Sequence, residues 1–207
     1  MPVNFIETMS YEKGDLVREE ILAQAQILFQ QYGLKKTTMD EIAAACGKAK
    51  STLYHHFKNK EEVFESVVEL EMLYLRKHVK NKVEEHKDML GKVTTYATEF
   101  HKEIINRINL YSAIVQENLP RLMNSQIIDK MMDYEKSYLV RILEDGYDSG
   151  EYTRVNREEI PYIAEIFLAA FFGAVRYFIS KDGALSLERL QKTADLFIPQ
   201  IFGGQIQ

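Results

Sequence analysis

Apolar residues recur at three- and four-residue intervals through most of this chain, and no other feature constrains its fold more. Ile21, Ala25, Leu28, Phe29 and Tyr32 fall on one face of a helix. Val63, Val67, Leu70 and Tyr74 repeat the spacing, as do Val93, Tyr96, Phe100, Ile104 and Ile108, and then Ile127, Met131, Tyr134, Tyr138 and Ile142. Among 207 residues there are only 4 Pro and 10 Gly, few for a chain of many short strands and turns. No segment reads as strand, so the fold class expected is all-α. The hydrophobic share of 46% against 28% charged sets aside disorder for most of the chain.

Local signals place the helix ends. Asp15 is positioned to cap the first helix and Gly33 to end it. Thr38-Met39-Asp40-Glu41 spells a capping box, in which the Thr hydroxyl and the Glu carboxylate each satisfy an orphan donor of the first turn. It opens a short helix over Met39 to Ala45, which Gly47 breaks. A second short helix runs from about Ala49 to Phe57, and Asn59-Lys60-Glu61-Glu62 is a second capping box ahead of a long helix. Further on, Pro120 interrupts and Asp148-Ser149-Gly150 is a turn. Asn156 or Glu159 can start the next helix, and Ser186 caps the last. The run from Ile163 to Ile179 is apolar almost all round, which predicts enclosure by neighbours.

Two short helices joined at a glycine are the geometry of a helix-turn-helix. On a wheel of about 100° per residue, Ala49, Leu53, His56 and Phe57 gather on the inward side of the second. Ser51, Tyr54, His55 and Lys58 gather opposite, with Lys50 and Thr52 on the flanks. That outer face holds donors and acceptors and no aliphatic side chain, as a helix in the major groove requires. From Lys35 to Lys60 there are six lysines (35, 36, 48, 50, 58 and 60) against Asp40 and Glu41, a local +4 in a chain of net charge −5. The positive field is confined to this segment and would turn it towards DNA. A lysine-bearing polar face is also what plain solvated surface looks like.

The stretch from about Arg18 to Glu69 resembles the DNA-binding domain of the TetR family of transcriptional regulators. Thr37-Thr38-Met39-Asp40-Glu41-Ile42-Ala43 carries the resemblance, with Ser51-Thr52-Leu53-Tyr54-His55-His56-Phe57-Lys58-Asn59-Lys60-Glu61-Glu62-Val63-Phe64. It implies a DNA-binding domain over 12–70, followed by a helical effector-binding and dimerisation domain over 71–207. It further implies a homodimer that binds a palindromic double-stranded DNA operator, most often as a repressor. By the family pattern Thr38 would contact phosphate. Lys50, Ser51 and Thr52 would lie close to bases and backbone, Tyr54, His55 and Lys58 would hold phosphates, and Lys60 would add a contact. The turn departs from the pattern. Lys48 and Ala49 stand where a buried aliphatic residue and a capping Ser are common, and Lys48 is expected to lay its stem over the core and send its ammonium towards a phosphate.

The remaining two-thirds carry no motif of their own. Tyr96, Phe100, Tyr134 and Tyr138, with Phe167 and Phe171, could line an apolar cavity, and His101, Glu117 and Arg121 could supply polar contacts there. Each is equally an ordinary core residue. The effector expected is a small hydrophobic or amphipathic molecule. Leu187, Leu190, Ala194, Phe197 and Ile201 form a seam suited to a helical interface between two subunits; burial within one subunit is the other reading.

Other classes find less support. The five His residues lack metal-protease spacing, and no nucleophile elbow, P-loop or dinucleotide fingerprint is present, so no enzyme, catalytic residue, metal or cofactor is expected. One cysteine, Cys46, forms no internal disulfide, and the apolar run at 166–175 is about half a bilayer span, so a cytoplasmic protein without a membrane partner is expected. A DNA-binding architectural or division-related factor of the same fold without an effector is the alternative, and a fully packed helical core would favour it.

Overall fold

Helices follow one another along a computed structural model of the chain, which describes residues 13–106, 126–182 and 187–202. Among the described residues there are eight α-helices and no strand: α1 (Lys13–Lys36), α2 (Met39–Ala45), α3 (Lys50–His56), α4 (Lys60–Val83), α5 (Met89–Asn106), α6 (Gln126–Asp148), α7 (Ile160–Asp182) and α8 (Leu187–Phe202). No helix described is long and apolar enough to cross a membrane. The chain divides into two compact units, with the boundary after Glu71, inside α4.

In the first unit α1 packs on α2 and α2 on α3. The buried face of α1 is Ile21, Leu22, Ala25 and Phe29, whereas Tyr32 of the expected face is 57% exposed. Asp15 does not cap α1, because the helix already starts at Lys13. Gly33 breaks it, with φ 77° and ψ 169°, a conformation essentially restricted to glycine. The helical path is interrupted at that residue, so the short stretch from there to Lys36 forms a separate turn. Phe29 meets Phe64 of α4 edge to face, with centroids 5.2 Å apart, and both rings are buried.

The second unit is built from the rest of α4 and the helices after it. Here α5 packs on both α6 and α8, and α6 on α7. Its core is a chain of aromatic rings: Tyr96 and Phe100 from α5, Phe167 and Phe171 from α7, Phe202 from α8, and Tyr152 from the loop after α6. The turn expected at Asp148-Ser149-Gly150 is present. Gly150 has φ 80°, and Tyr152 N–H donates to the Gly146 carbonyl at 3.0 Å, which folds the chain back onto the end of α6. Asn156 stands ahead of a 3₁₀ turn (Arg157–Glu159) that leads into α7, and Asn156 N–H donates to the Glu159 carboxylate at 2.8 Å.

Within one chain the run from Ile163 to Ile179 is enclosed on one face only, where Ala164, Phe167, Leu168 and Phe171 are buried. Ile166 is 67% exposed and Tyr162 69% exposed on α7, because no described helix covers that face. Gly146 of α6 is buried against Met89 of α5, and a Cβ placed on it would lie 2.8 Å from the Met89 Cβ. The two helices must separate to admit one. Gly146→Ala is therefore expected to lower stability by about 1–3 kcal/mol, the usual cost of overpacking, read as a fall in the urea midpoint without change of slope.

Candidate functional site

Seven residues of α3 are too few to hold a helix in water, so its orientation comes from its anchors. Leu53 is fully buried and Phe57, its C-cap, nearly so. Arg18 lies over the Phe57 ring at 5.1 Å and donates to Ser66 Oγ at 3.0 Å, which fixes the ring from behind. Gly47, at φ 61°, makes the tight turn from α2. Ser51, Tyr54, His55 and Lys58 are left exposed together, with Thr52 half-buried beside them. His56 is half-buried and Ala49 is exposed, so Ala49 is not on the inward side. It is the N-cap, with extended backbone and no side chain that can reach the first turn.

The structure separates the basic residues into two groups. Lys48 Nζ pairs with Glu20 Oε2 of α1 at 2.8 Å, and Lys50 Nζ with Asp40 Oδ2 of α2 at 2.5 Å. Lys60 Nζ donates to the carbonyls of Leu34 (2.8 Å), Lys35 (3.3 Å) and Thr37 (3.0 Å). An ammonium has three donors, and here two go to carbonyls of the last turn of α1 and the third to Thr37 just after it. The Lys48 ammonium thus meets a carboxylate in a pair open to solvent, and the Lys60 ammonium closes a helix end. Lys35, Lys36 and Lys58 are exposed and carry no ion pair among the described residues.

Thr38 forms the capping box as expected, its Oγ1 accepting from Glu41 N–H at 3.3 Å while Glu41 Oε2 accepts from Thr38 N–H at 2.8 Å. Its hydroxyl also donates to that carboxylate at 2.8 Å, so its proton is engaged within the protein. The second box is only half formed: Asn59 Oδ1 accepts from Glu62 N–H, but Glu62 reaches back to Lys58 N–H instead of Asn59 N–H. Thr37, buried beside it, donates its hydroxyl to the Gly33 carbonyl at 2.8 Å and joins Lys60 in closing α1. Burial and the neighbouring Glu20 push the Cys46 thiol up against the pull of Lys48, which disfavours the thiolate.

In the second unit a cavity of about 180 Å³ lies among α5, α7 and α8. Of the residues expected to line it, His101, Phe167 and Phe171 do so; Ala97, Ala170 and Ile198 complete much of the wall. Tyr96, Phe100, Tyr134 and Tyr138 do not line it. They surround a buried ion pair, in which Glu135 Oε1 accepts from Arg76 Nε at 2.7 Å and Oε2 from Tyr96 O–H at 3.0 Å. Arg76 also lies over the Tyr134 ring at 4.1 Å. Burial pushes the Glu135 carboxyl up, and Arg76 and Tyr96 pull it back. The sequence gives no local sign of this pair, whose members stand 59 residues apart. Glu117 and Arg121 lie outside the described residues, as do the interruption at Pro120, the cap at Ser186 and the side chains of Leu187 and Leu190.

Ala194 is buried and lines the cavity. The seam is corrected there: Ala194, Ile198 and Phe202, at four-residue spacing, turn inward, while Leu196 (66%) and Phe197 (47%) stay exposed. Among the described residues no three His, Cys, Asp or Glu side chains come together to hold a metal ion.

Residues 21–67 match the model of the bacterial regulatory proteins of the tetR family. This segment is therefore a TetR-type DNA-binding domain. The TetR-family match spans α2 and α3 and the anchors of both, and the chain is a DNA-binding transcriptional regulator. It is 28% identical over 165 residues to the HTH-type transcriptional regulator YhgD of Bacillus subtilis, covering 73% of this chain and 81% of that protein. It is 24% identical over 176 residues to IcaR of Staphylococcus aureus, a negative transcriptional regulator of a biofilm operon, covering 84% of this chain and 92% of that one. The fold is shared with the transcriptional regulator FadR of Bacillus subtilis in complex with stearoyl-CoA, at 19% identity and a TM-score of 0.68, over 90% of this chain and 98% of that one.

Two measurements check these assignments. Lys60→Met removes the donors from the carbonyls at the end of α1 and is expected to cost about 1.5–3 kcal/mol of stability, whereas Lys58→Ala leaves the melting temperature in place, weakens duplex binding and flattens its salt dependence by about 0.9 per subunit. His101 is held neutral, its pKa lowered from 6.5 to about 4 by burial against a weak opposing pull from the Ala97 carbonyl. The unfolded chain therefore takes up a proton that the folded chain refuses, and stability present above pH 6.5 is lost as the pH falls towards 4. The loss is expected to reach about 3 kcal/mol, and His101→Phe to abolish that part of the acid slope in denaturant titrations at stepped pH.

Proposed function

We propose that this TetR-family regulator is a repressor that binds a palindromic operator as a homodimer and leaves it when a small hydrophobic effector fills the second unit. The observation that carries the reading is the outward face of α3. Ser51, Tyr54, His55 and Lys58 stand exposed side by side, on a helix anchored from below by Leu53 and Phe57. Ser51, Thr52 and Lys50, at the leading end, are suited to bases and nearby backbone, and Tyr54, His55 and Lys58 to phosphate oxygens. Lys50 would exchange Asp40 for the nucleic acid, a small step for an exposed ion pair. Thr38 would contribute at the start of α2 only by turning its hydroxyl proton away from Glu41.

The remaining parts support the same reading. Tyr162 and Ile166 on α7 and Leu196 and Phe197 on α8 are large exposed apolar side chains, suited to the same helices of a second copy. Two copies would present two α3 helices, which fit successive major grooves only at a spacing of about 34 Å. An effector that favours another spacing lowers DNA affinity by its difference in affinity for the two states. The cavity favours this role over that of an architectural factor, whose helical core needs no empty space. The named activity of IcaR, negative regulation, accords with repression, and the stearoyl-CoA held by FadR with a hydrophobic effector. By the same route the DNA-binding part would end near residue 70 and the effector part follow it, in the cytoplasm.

Selection of bound duplexes from a random pool tests the reading. The expected product is an inverted repeat with half-site centres one helical turn apart, bound by two copies and released by a hydrophobic ligand. A protein that stays monomeric and retains no duplex at low ionic strength would overturn it.

A further inference from the structure

We propose that the buried end of the effector cavity takes a neutral phenol, with His101 as the residue that recognises its hydroxyl. This rests on the effector reading above and narrows it to a chemical class. His101 is 5% exposed, lines the cavity and stacks on Phe171 with centroids 4.0 Å apart. Apart from the Ala97 carbonyl one turn back, which draws weakly on the imidazole, the ring nitrogens find no hydrogen-bond partner among the described residues. A buried polar group left without a full partner is costly, and one beside an apolar cavity calls for a partner.

The surroundings restrict that partner. Among the described residues no charged side chain lines the cavity. An ionised carboxylate or amine would enter without a counter-charge, and its desolvation would go unrepaid. The described lining thus favours a neutral group. A neutral imidazole offers one donor and one acceptor, and a hydroxyl is both, so it pairs with whichever nitrogen it meets. A carbonyl or ether would suit only the N–H.

Size and shape decide the rest of the molecule. About 180 Å³ is slightly more than the roughly 150 Å³ of an engineered cavity that holds benzene. One ring with a small substituent fits. The walls around it are Phe167, Phe171 and Phe197, whose faces and edges favour an aromatic ring over an alkyl chain.

Calorimetry on the full-length protein with phenol, toluene and benzoate separates the possibilities. Wild type is expected to bind phenol about tenfold tighter than toluene, the worth of one hydrogen bond to an unpaired buried group, and not to bind benzoate. In His101→Phe the phenol advantage disappears while toluene still binds. Equal affinity for phenol and toluene in wild type would mean that water already satisfies the imidazole, and the proposal falls. It falls equally if the advantage survives in His101→Phe, or if benzoate binds best. Should that variant fail to fold, imidazole nitrogen resonances of the wild type decide: phenol must move them and toluene must not. Duplex binding measured alongside keeps the two readings apart. A tenfold preference without any effect on DNA overturns effector control and leaves His101 in its role; ligand-free DNA binding without the preference does the reverse.

Discussion

The direction in which α3 points depends on two side chains. Leu53 and Phe57 are buried together, and a helix of seven residues depends on such anchors to hold its orientation. Their burial leaves the opposite face in water, and everything proposed about DNA recognition follows from that face being outward. The long-range supports serve the same end. Arg18 fixes the Phe57 ring, and Lys60 ties the start of α4 to the end of α1, so the platform under α3 is closed by one buried ring and one ammonium.

Lysines in this unit do different work at similar positions. Lys58 and Lys60 are two residues apart, yet one is exposed and the other gives its donors to three carbonyls. A charge count treats them alike. The local excess of +4 is real as a net charge, but part of it balances Glu20, outside that segment, and a helix end. The field that reaches a phosphate is thus weaker and more localised than the lysine count implies.

This difference marks how far the sequence could be read. The all-α fold, the bounds of α2 at Met39–Ala45 and the Thr38–Glu41 box were legible, because each depends on residues within one or two turns of each other. So were Leu53 and Phe57 as anchors, from spacing alone. The inward placement of Ala49 fails because wheel position says nothing about where the chain has left the helix. The clamp of Lys60, the Lys48–Glu20 pair and the Arg76–Glu135 pair were not legible, since each joins residues more than twenty positions apart through contacts that no local pattern encodes. The aromatic richness of the second unit was visible, but not its division between a cavity lined by Phe167 and Phe171 and an ion pair surrounded by Tyr96, Phe100, Tyr134 and Tyr138.

That ion pair has a mechanical consequence. Arg76 belongs to the later part of α4 and Glu135 to α6, and the carboxylate is almost fully enclosed. Stripping one partner from such a pair costs about 3–5 kcal/mol, more than the roughly 1–3 kcal/mol over which sites in a protein usually communicate. The bond is a rivet rather than a hinge: any displacement that passes along this stretch of α4 carries α6 with it.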